Sequence, residues 1–147
     1  MKEEKYKELR QQVIAWGKEK GLIHKENSSK QYLKFLEEVG ETAKAILHRD
    51  SSGIIDGFGD TAVTMIILSE QLGSRCDLTI TDAYLNIDLS DIVKRVSPTF
   101  INPSAMNFLY CIAHSNGLDL VECLNVAYNE IKDRKGKTEN GTFIKQT

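Results

Sequence analysis

The sequence predicts an all-α fold, and three observations support this prediction. Apolar residues recur mainly at spacings of three and four, which is the period of an α-helix. Only two prolines, Pro98 and Pro103, interrupt the 147 residues. The chain is 41% hydrophobic and 27% charged, as expected for one globular domain covering residues 1–147. We therefore expect a bundle of about five helices.

The first two helices are predicted by apolar stripes and by residues that start or stop a helix. The stripe of the first helix is Tyr6, Leu9, Val13 and Trp16. Gly21 then ends that helix. The second helix is predicted to start at Ser28, with a reciprocal capping box between Ser28 and Gln31. Its buried face consists of Leu36, Val39, Ala43 and Ile46.

The third helix is predicted from Ile55 to Leu72, after a break around residues 49–53, and is apolar nearly all round between Ala62 and Leu68. Such a helix must be covered on several sides. In so small a chain we expect a homodimer or homotetramer to supply part of the cover, so that Ile66 and Ile67 lie either at the interface or in the core of the subunit. The alternative is a monomer in which residues 82–115 fold back over this helix.

Signals are weaker between the third helix and the carboxyl-terminal part of the chain. Residues 73–81 form a connector with a weak strand signal at 78–80, and residues 82–96 are predicted as an amphipathic helix. An Asn–Pro pair at 102–103 is typical of an N-cap and first helical residue, so a further helix is expected over residues 104–115.

The last helix is predicted by a cap and an apolar face. Asn116 and Gly117 end the preceding helix, and Asp119 with Glu122 three residues later forms a capping pattern. The apolar face is Leu120, Leu124, Ala127, Tyr128 and Ile131. Residues 132–137 are basic, and the tail from about residue 136 is expected to fray.

Charge and cysteine usage exclude several classes of function. A net charge of -2 without a basic stripe argues against direct nucleic-acid binding and against attraction to a membrane. The longest apolar stretch, Ala62 to Leu68, is too short to cross a bilayer. The three cysteines form no CxxC pair, and their odd number suggests reduced thiols in a cytoplasmic protein without structural zinc.

An acidic cluster on the second helix is the first candidate for chemistry. Its residues lie on one side of the helix and are Lys34, Glu37, Glu38 and Glu41. Like charges at such spacings each cost roughly 0.2–0.5 kcal/mol, so a bound divalent cation is one reason to keep them. The alternative is a solvated helix face.

A second acidic pair, Asp56 and Asp60, lies one turn apart directly before the most apolar run. A carboxylate buried there needs a partner. If the second and third helices pack antiparallel through a short connection, the two acidic faces meet and form an all-oxygen site suited to Mg²⁺ or Mn²⁺. For Asp56, a favourable charge at a helix N-terminus is an equal alternative.

The last helix presents a polar face and a basic end that could bind phosphate. This set is Glu122, Asn125, Asn129, Lys132, Arg134, Lys135 and Lys137. Guanidinium and ammonium groups bind phosphate oxygens, and amides can contact a base or sugar. The alternative is favourable positive charge at a helix C-terminus. Trp16 is assigned to the core rather than to a base-stacking platform.

The motif QxxKxxEExxE beginning at Gln31, followed by DGFGD beginning at Asp56, resembles the MazG-like branch of the all-α nucleoside triphosphate pyrophosphatases. That family's pattern is EExxE followed by ExxD, and three of its acidic positions are matched here by Glu38, Glu41 and Asp60. Gly57 stands where the family has a glutamate, and Asp56 is the carboxylate we expect in its place. The segment AYNEIKDRKGKTENGTFIK is similar to the tail of phage-type members.

The resemblance implies magnesium- or manganese-dependent hydrolysis of a nucleoside triphosphate, ribo or deoxy, to the monophosphate and pyrophosphate. It implies four metal ligands, Glu38, Glu41, Asp56 and Asp60. Glu37 and Glu38 would be the catalytic carboxylates, with Glu37 as the base. The substrate would contact Gln31, Lys34, Asn125, Asn129, Lys132 and Arg134, and a capping role for Gln31 stays an alternative. Two other functions are open: a non-catalytic interaction protein, and a hydrolase of another phosphorylated nucleotide such as an alarmone.

Overall fold

The computed structural model describes residues 1–80, 87–91 and 104–146. That part of the chain contains five α-helices and one two-stranded sheet, so the all-α prediction is confirmed apart from a small β element. The elements are α1 (Lys2–Glu19), α2 (Ser28–Leu47), α3 (Ser51–Gln71), α4 (Ala105–Ser115), α5 (Leu120–Ile131), β1 (Gly136–Glu139) and β2 (Thr142–Lys145). None of the described helices is long and apolar enough to span a bilayer.

Helix α3 is the centre of the fold and is surrounded within the subunit by α1, α2, α4 and α5. The expected cover on several sides is confirmed. Ile66 and Ile67 are fully buried in this core, at 0% and 1% exposure, together with Met106 and Leu109 of α4. Of the two places expected for Ile66 and Ile67, the core of the subunit is therefore the one observed, because the chain's own helices cover both. Homo-oligomerisation itself stays a prediction.

Helices α2 and α3 pack antiparallel through a connection of three residues, which is the arrangement that lets the two acidic faces meet. Arg49 has a positive φ of 53° and turns the chain, and the Asp50 carboxylate accepts a hydrogen bond from the backbone N–H of Gly53 at 3.1 Å. This cap starts α3 at Ser51, four residues before the predicted start.

The capping box predicted at the start of α2 is wrong. A 3₁₀ turn (Lys25–Asn27) runs directly into the helix, and Asn27 already has helical dihedral angles and makes no side-chain cap. Ser28 is thus inside the helix rather than before it. The buried Gln31 side chain instead donates a hydrogen bond to the carbonyl of Thr64 on α3, at 3.4 Å.

Two glycines just before Asp60 allow α3 to pack closely against two different helices. A Cβ at Gly57 would lie 2.9 Å from Cβ of Thr42 on α2, and a Cβ at Gly59 would lie 2.9 Å from Cβ of Ala127 on α5. Neither position accepts a larger residue without separating two helices. The contact between α2 and α3 therefore explains why a glycine stands at position 57.

The carboxyl-terminal tail is an antiparallel hairpin, so the prediction that it frays is wrong. Asn140 and Gly141 both have positive φ, 51° and 83°, as a type I′ turn requires. Thr138 donates two hydrogen bonds to the carbonyl of Lys20, from its N–H at 3.1 Å and from its hydroxyl at 2.8 Å. These bonds hold the hairpin against the end of α1.

The segment after α3 contains no strand in residues 74–80, so the strand predicted at 78–80 is wrong. Side chains satisfy this backbone instead: the N–H of Thr79 donates to Asn107, and the N–H of Ile80 donates to Glu3. Of the helix predicted over 82–96 only residues 87–91 are described, and there helical structure starts at Ser90. The rest of that helix, and the pair at 102–103, lie outside the described residues.

Candidate functional site

Two cavities adjoin at Asp60, which lines both. The first, here called the aromatic cavity, has a volume of about 240 Å³. Its lining includes Trp16, Gln31, Lys34, Glu38, Arg134 and Phe143. The second, here called the acidic cavity, has a volume of about 350 Å³ and lies between α2 and α3. Its lining includes Glu41, Lys44, His48 and Asp56.

Glu38 is a buried carboxylate, only 6% exposed, that lacks part of its normal hydrogen bonding. Its Oε1 lies 3.1 Å from the ammonium of Lys34, whereas its Oε2 is buried with no hydrogen-bond partner. Burial raises the pKa of Glu38, Lys34 lowers it, and the nearby Glu41 and Glu37 raise it. A cation bound beside Oε2 would satisfy this atom.

Lys34 lies between two carboxylates of its own helix. It contacts Glu38 and also donates a hydrogen bond to Glu37, which is half exposed and lines neither cavity. Burial lowers the pKa of Lys34, but its hydrogen bonds to the two glutamates outweigh this effect, so the pKa is raised overall. The ammonium therefore remains charged and neutralises part of the acidic face.

Asp60 is partly buried and surrounded by other acids. Burial is the main cause that raises its pKa from 3.8 to about 7. Within this total, Glu38, Glu130 and Asp56 contribute smaller increases, and Arg134 opposes them. Carboxylates of α2, α3 and α5 thus lie within electrostatic reach of Asp60, and near neutral pH their mutual repulsion favours a bound proton or a cation.

The four predicted metal ligands are divided between the two cavities. Glu41 and Asp56 line the acidic cavity, Glu38 lines the aromatic cavity, and Asp60 joins them. Among the described residues, no three His, Cys, Asp or Glu side chains are grouped closely enough to hold a metal ion. By ligand type alone, the set suits a hard cation such as Mg²⁺, because it consists only of carboxylate oxygens and includes the unpaired Oε2 of Glu38.

The predicted substrate contacts are only partly brought together. Gln31, Lys34 and Arg134 line the aromatic cavity. Three others, Asn125, Asn129 and Lys132, line neither cavity.

The sequence interpretation missed two aromatic contributions to this site. Trp16 is a core residue as predicted, at 8% exposure, but it also forms a wall of the aromatic cavity. Phe143 lies in the tail that was expected to fray. The dipeptide Asn140–Gly141 is a strong hairpin signal and could have identified the ordered tail.

Comparison with known proteins gives one limited similarity. The chain is 30% identical over 64 residues to a protein of Haemophilus phage HP1 described as "Uncharacterized 18.2 kDa protein in rep-hol intergenic region". The match covers 44% of this chain and 39% of the phage protein, so the chain spans about two fifths of that relative. No family model matches the chain. No solved structure matches it.

Proposed function

We propose that this protein is a magnesium-dependent nucleoside triphosphate pyrophosphohydrolase of the MazG-like type. It would hydrolyse a ribo- or deoxyribonucleoside triphosphate to the monophosphate and pyrophosphate. One observation carries the proposal: the antiparallel pair of α2 and α3 places four carboxylates around two adjoining cavities, beside the cations Lys34 and Arg134.

Glu38, Glu41, Asp56 and Asp60 are the side chains that would hold magnesium. When bound, magnesium supplies positive charge beside the phosphates and makes water more acidic. Mn²⁺ would suit the same oxygen ligands.

The remaining polar residues would bind the substrate and move its proton. Lys34 would transfer its ion pair from Glu38 to a phosphate, which leaves Glu38 free for a cation. Arg134 would bind a second phosphate oxygen from the end of α5. A glutamate of α2 would accept the proton of the attacking water. Of the two candidates, Glu38 lines the cavity but would hold the cation, whereas Glu37 lies outside the cavity and would be freed when Lys34 turns to the phosphate.

A screen of the common ribo- and deoxyribonucleoside triphosphates with Mg²⁺, with pyrophosphate as the measured product, tests this function. We expect turnover of at least one nucleotide, and loss of most activity in Glu38→Gln and Asp60→Asn. Glu4→Gln is the matched control, because this exposed glutamate at the start of α1 lines neither cavity and forms only a surface ion pair with Lys7. Orthophosphate as the clean product would indicate another class of phosphatase instead.

The second candidate is a non-catalytic interaction protein, and the ion pairs of Lys34 favour it. Lys34 already neutralises Glu37 and Glu38 without any metal. An acidic helix stabilised in this way can serve as a docking surface. Absence of turnover with every nucleotide, in protein that keeps its helical circular dichroism, would support this candidate over the enzyme.

A further inference from the structure

Two aromatic rings from distant parts of the chain meet at one end of the aromatic cavity. Trp16 of α1 and Phe143 of β2 are in edge-to-face contact, with ring centroids 5.1 Å apart and planes inclined at 64°. Both line the cavity, together with apolar side chains that include Val63 and Ile67 of α3. This end of the cavity offers flat apolar surface.

The aromatic end lies about two helical turns from the acidic end. Asp60, Val63 and Ile67 follow one face of α3 and all line the cavity. At 1.5 Å per residue, Ile67 is about 10 Å along the helix from Asp60. A Cβ at Gly17, the neighbour of Trp16, would lie 2.7 Å from Ile67 Cδ1, so Ile67 is level with the indole segment of α1. The cavity therefore runs from a carboxylate to an aromatic corner over roughly the length of a nucleotide.

Cationic side chains lie along this path. Lys30 and Lys34 of α2, Arg134 after α5 and Lys145 of the hairpin all line the aromatic cavity. Lys34 contacts Glu38 and Arg134 lies within electrostatic reach of Asp60, so these two cations match an anionic group beside the carboxylate end. The volume of about 240 Å³ lies just below the roughly 300–1,000 Å³ of whole small-molecule sites, so it suits part of a ligand. The remainder can extend past Asp60 into the acidic cavity.

We propose that the corner formed by Trp16 and Phe143 is a nucleobase subsite, which makes the carboxyl-terminal hairpin part of the ligand site. The ligand class is a nucleotide with a planar aromatic base, as opposed to a sugar phosphate or an inorganic polyphosphate. A base packs on aromatic side chains whatever its identity, because every base has a π face. The inference deepens the proposed function and rests on it for the nature of the phosphate chemistry.

The emission of Trp16 provides a direct binding assay, since it is the only tryptophan in the chain. AMP and CMP would be titrated in the presence of a chelator, with ribose 5-phosphate as the ligand that lacks a base. We expect both nucleotides to change the emission and to bind at least about tenfold more tightly than ribose 5-phosphate, the gain typical of stacking one base. Equal affinity for ribose 5-phosphate would overturn the subsite, and so would no binding of either nucleotide.

Variants of the hairpin separate the ring of Phe143 from its apolar bulk. Phe143→Leu keeps the packing against α1 but removes the ring, and should weaken AMP binding by about tenfold. Phe143→Tyr keeps the ring and should bind nearly as wild type. Ile144→Ala is the matched control, because Ile144 is the next residue of β2, is 48% exposed and does not line the cavity. Unchanged binding in Phe143→Leu, with unchanged circular dichroism, would overturn the proposal.

Binding and hydrolysis measured together distinguish failure of the proposed function from failure of the base subsite. If AMP and CMP bind through Phe143 but no triphosphate is hydrolysed, the subsite stands and the hydrolase is refuted. If triphosphates are hydrolysed with the same KM by wild type and Phe143→Leu, the hydrolase stands and the subsite is refuted.

Discussion

Replacing Asp60 by asparagine should stabilise the metal-free protein at alkaline pH. Asp60 is partly buried and close to Glu38, Glu130 and Asp56, so its charged form is disfavoured in the folded state. The asparagine side chain in Asp60→Asn keeps the size of the aspartate and loses its charge. The substitution therefore removes repulsion without leaving a cavity.

The pKa of Asp60 sets the size and the direction of this effect. Because the folded-state pKa is raised from 3.8 to about 7, the stability that protonated Asp60 contributes is fully present below pH 3.8 and is lost progressively as the pH rises from 3.8 through about 7. The shift corresponds to at most about 4 kcal/mol. Asp60 is partly exposed, and solvent screening reduces this to roughly 1–3 kcal/mol at pH 8.

Urea unfolding with a chelator, at pH 5 and at pH 8, measures the effect. We expect Asp60→Asn to exceed wild type in free energy of unfolding at pH 8 and to approach it at pH 5. Magnesium should reduce this advantage of the variant at pH 8. At a concentration of ten times its Kd, magnesium would stabilise wild type by about 1.4 kcal/mol and would stabilise the variant by much less. If the difference in free energy of unfolding between Asp60→Asn and wild type were the same at pH 5 and pH 8, this description of Asp60 would be refuted.

Three further predictions concern the helices and the assembly. Gly57→Ala should lower the free energy of unfolding by about 1–3 kcal/mol, because the new Cβ enters the contact between α2 and α3. Gly40→Ala, at a position with open space around it, should leave the free energy of unfolding unchanged or raise it by up to about 1 kcal/mol, and urea unfolding of both variants makes the comparison. Glu41→Gln should lower the magnesium-dependent initial rate by at least about 100-fold, and Asp56→Asn should weaken Mg²⁺ binding, measured by calorimetry, about tenfold. If both variants gave wild-type values, Glu41 and Asp56 would not be metal ligands. Sedimentation equilibrium at micromolar concentration should give a homodimer or homotetramer, and a single species of 16.6 kDa would show a monomer.

Local patterns predicted the helices and the acidic pair because both are short-range features. The stripe that includes Tyr6 and Val13 is buried as the period of α1 requires. The short connection at 48–50 made an antiparallel pair the simple outcome for α2 and α3, and that pair brings the two acidic faces to adjoining cavities. Asp119 caps α5 as predicted, by accepting from the N–H of Val121.

Features that depend on long-range contacts could not be predicted in the same way. The ordered tail depends on hydrogen bonds to Lys20 and on the contact of Phe143 with Trp16, both more than one hundred residues earlier in the sequence. Gln31 matched a capping pattern, but α3 offered its side chain a buried carbonyl instead. The cover of Ile66 and Ile67 by α1, α4 and α5 likewise depends on how whole helices pack, and periodicity cannot reveal this.

The proposed hydrolysis requires water to attack the α-phosphorus of the nucleoside triphosphate. Hydrolysis in ¹⁸O-labelled water with Mg²⁺, followed by mass spectrometry of both products, identifies the phosphorus that is attacked. We predict one ¹⁸O atom in the nucleoside monophosphate, unlabelled pyrophosphate, and no reaction in the presence of a chelator. Label in pyrophosphate or orthophosphate, or no hydrolysis of any nucleotide by folded protein, would contradict the proposed attack at the α-phosphorus.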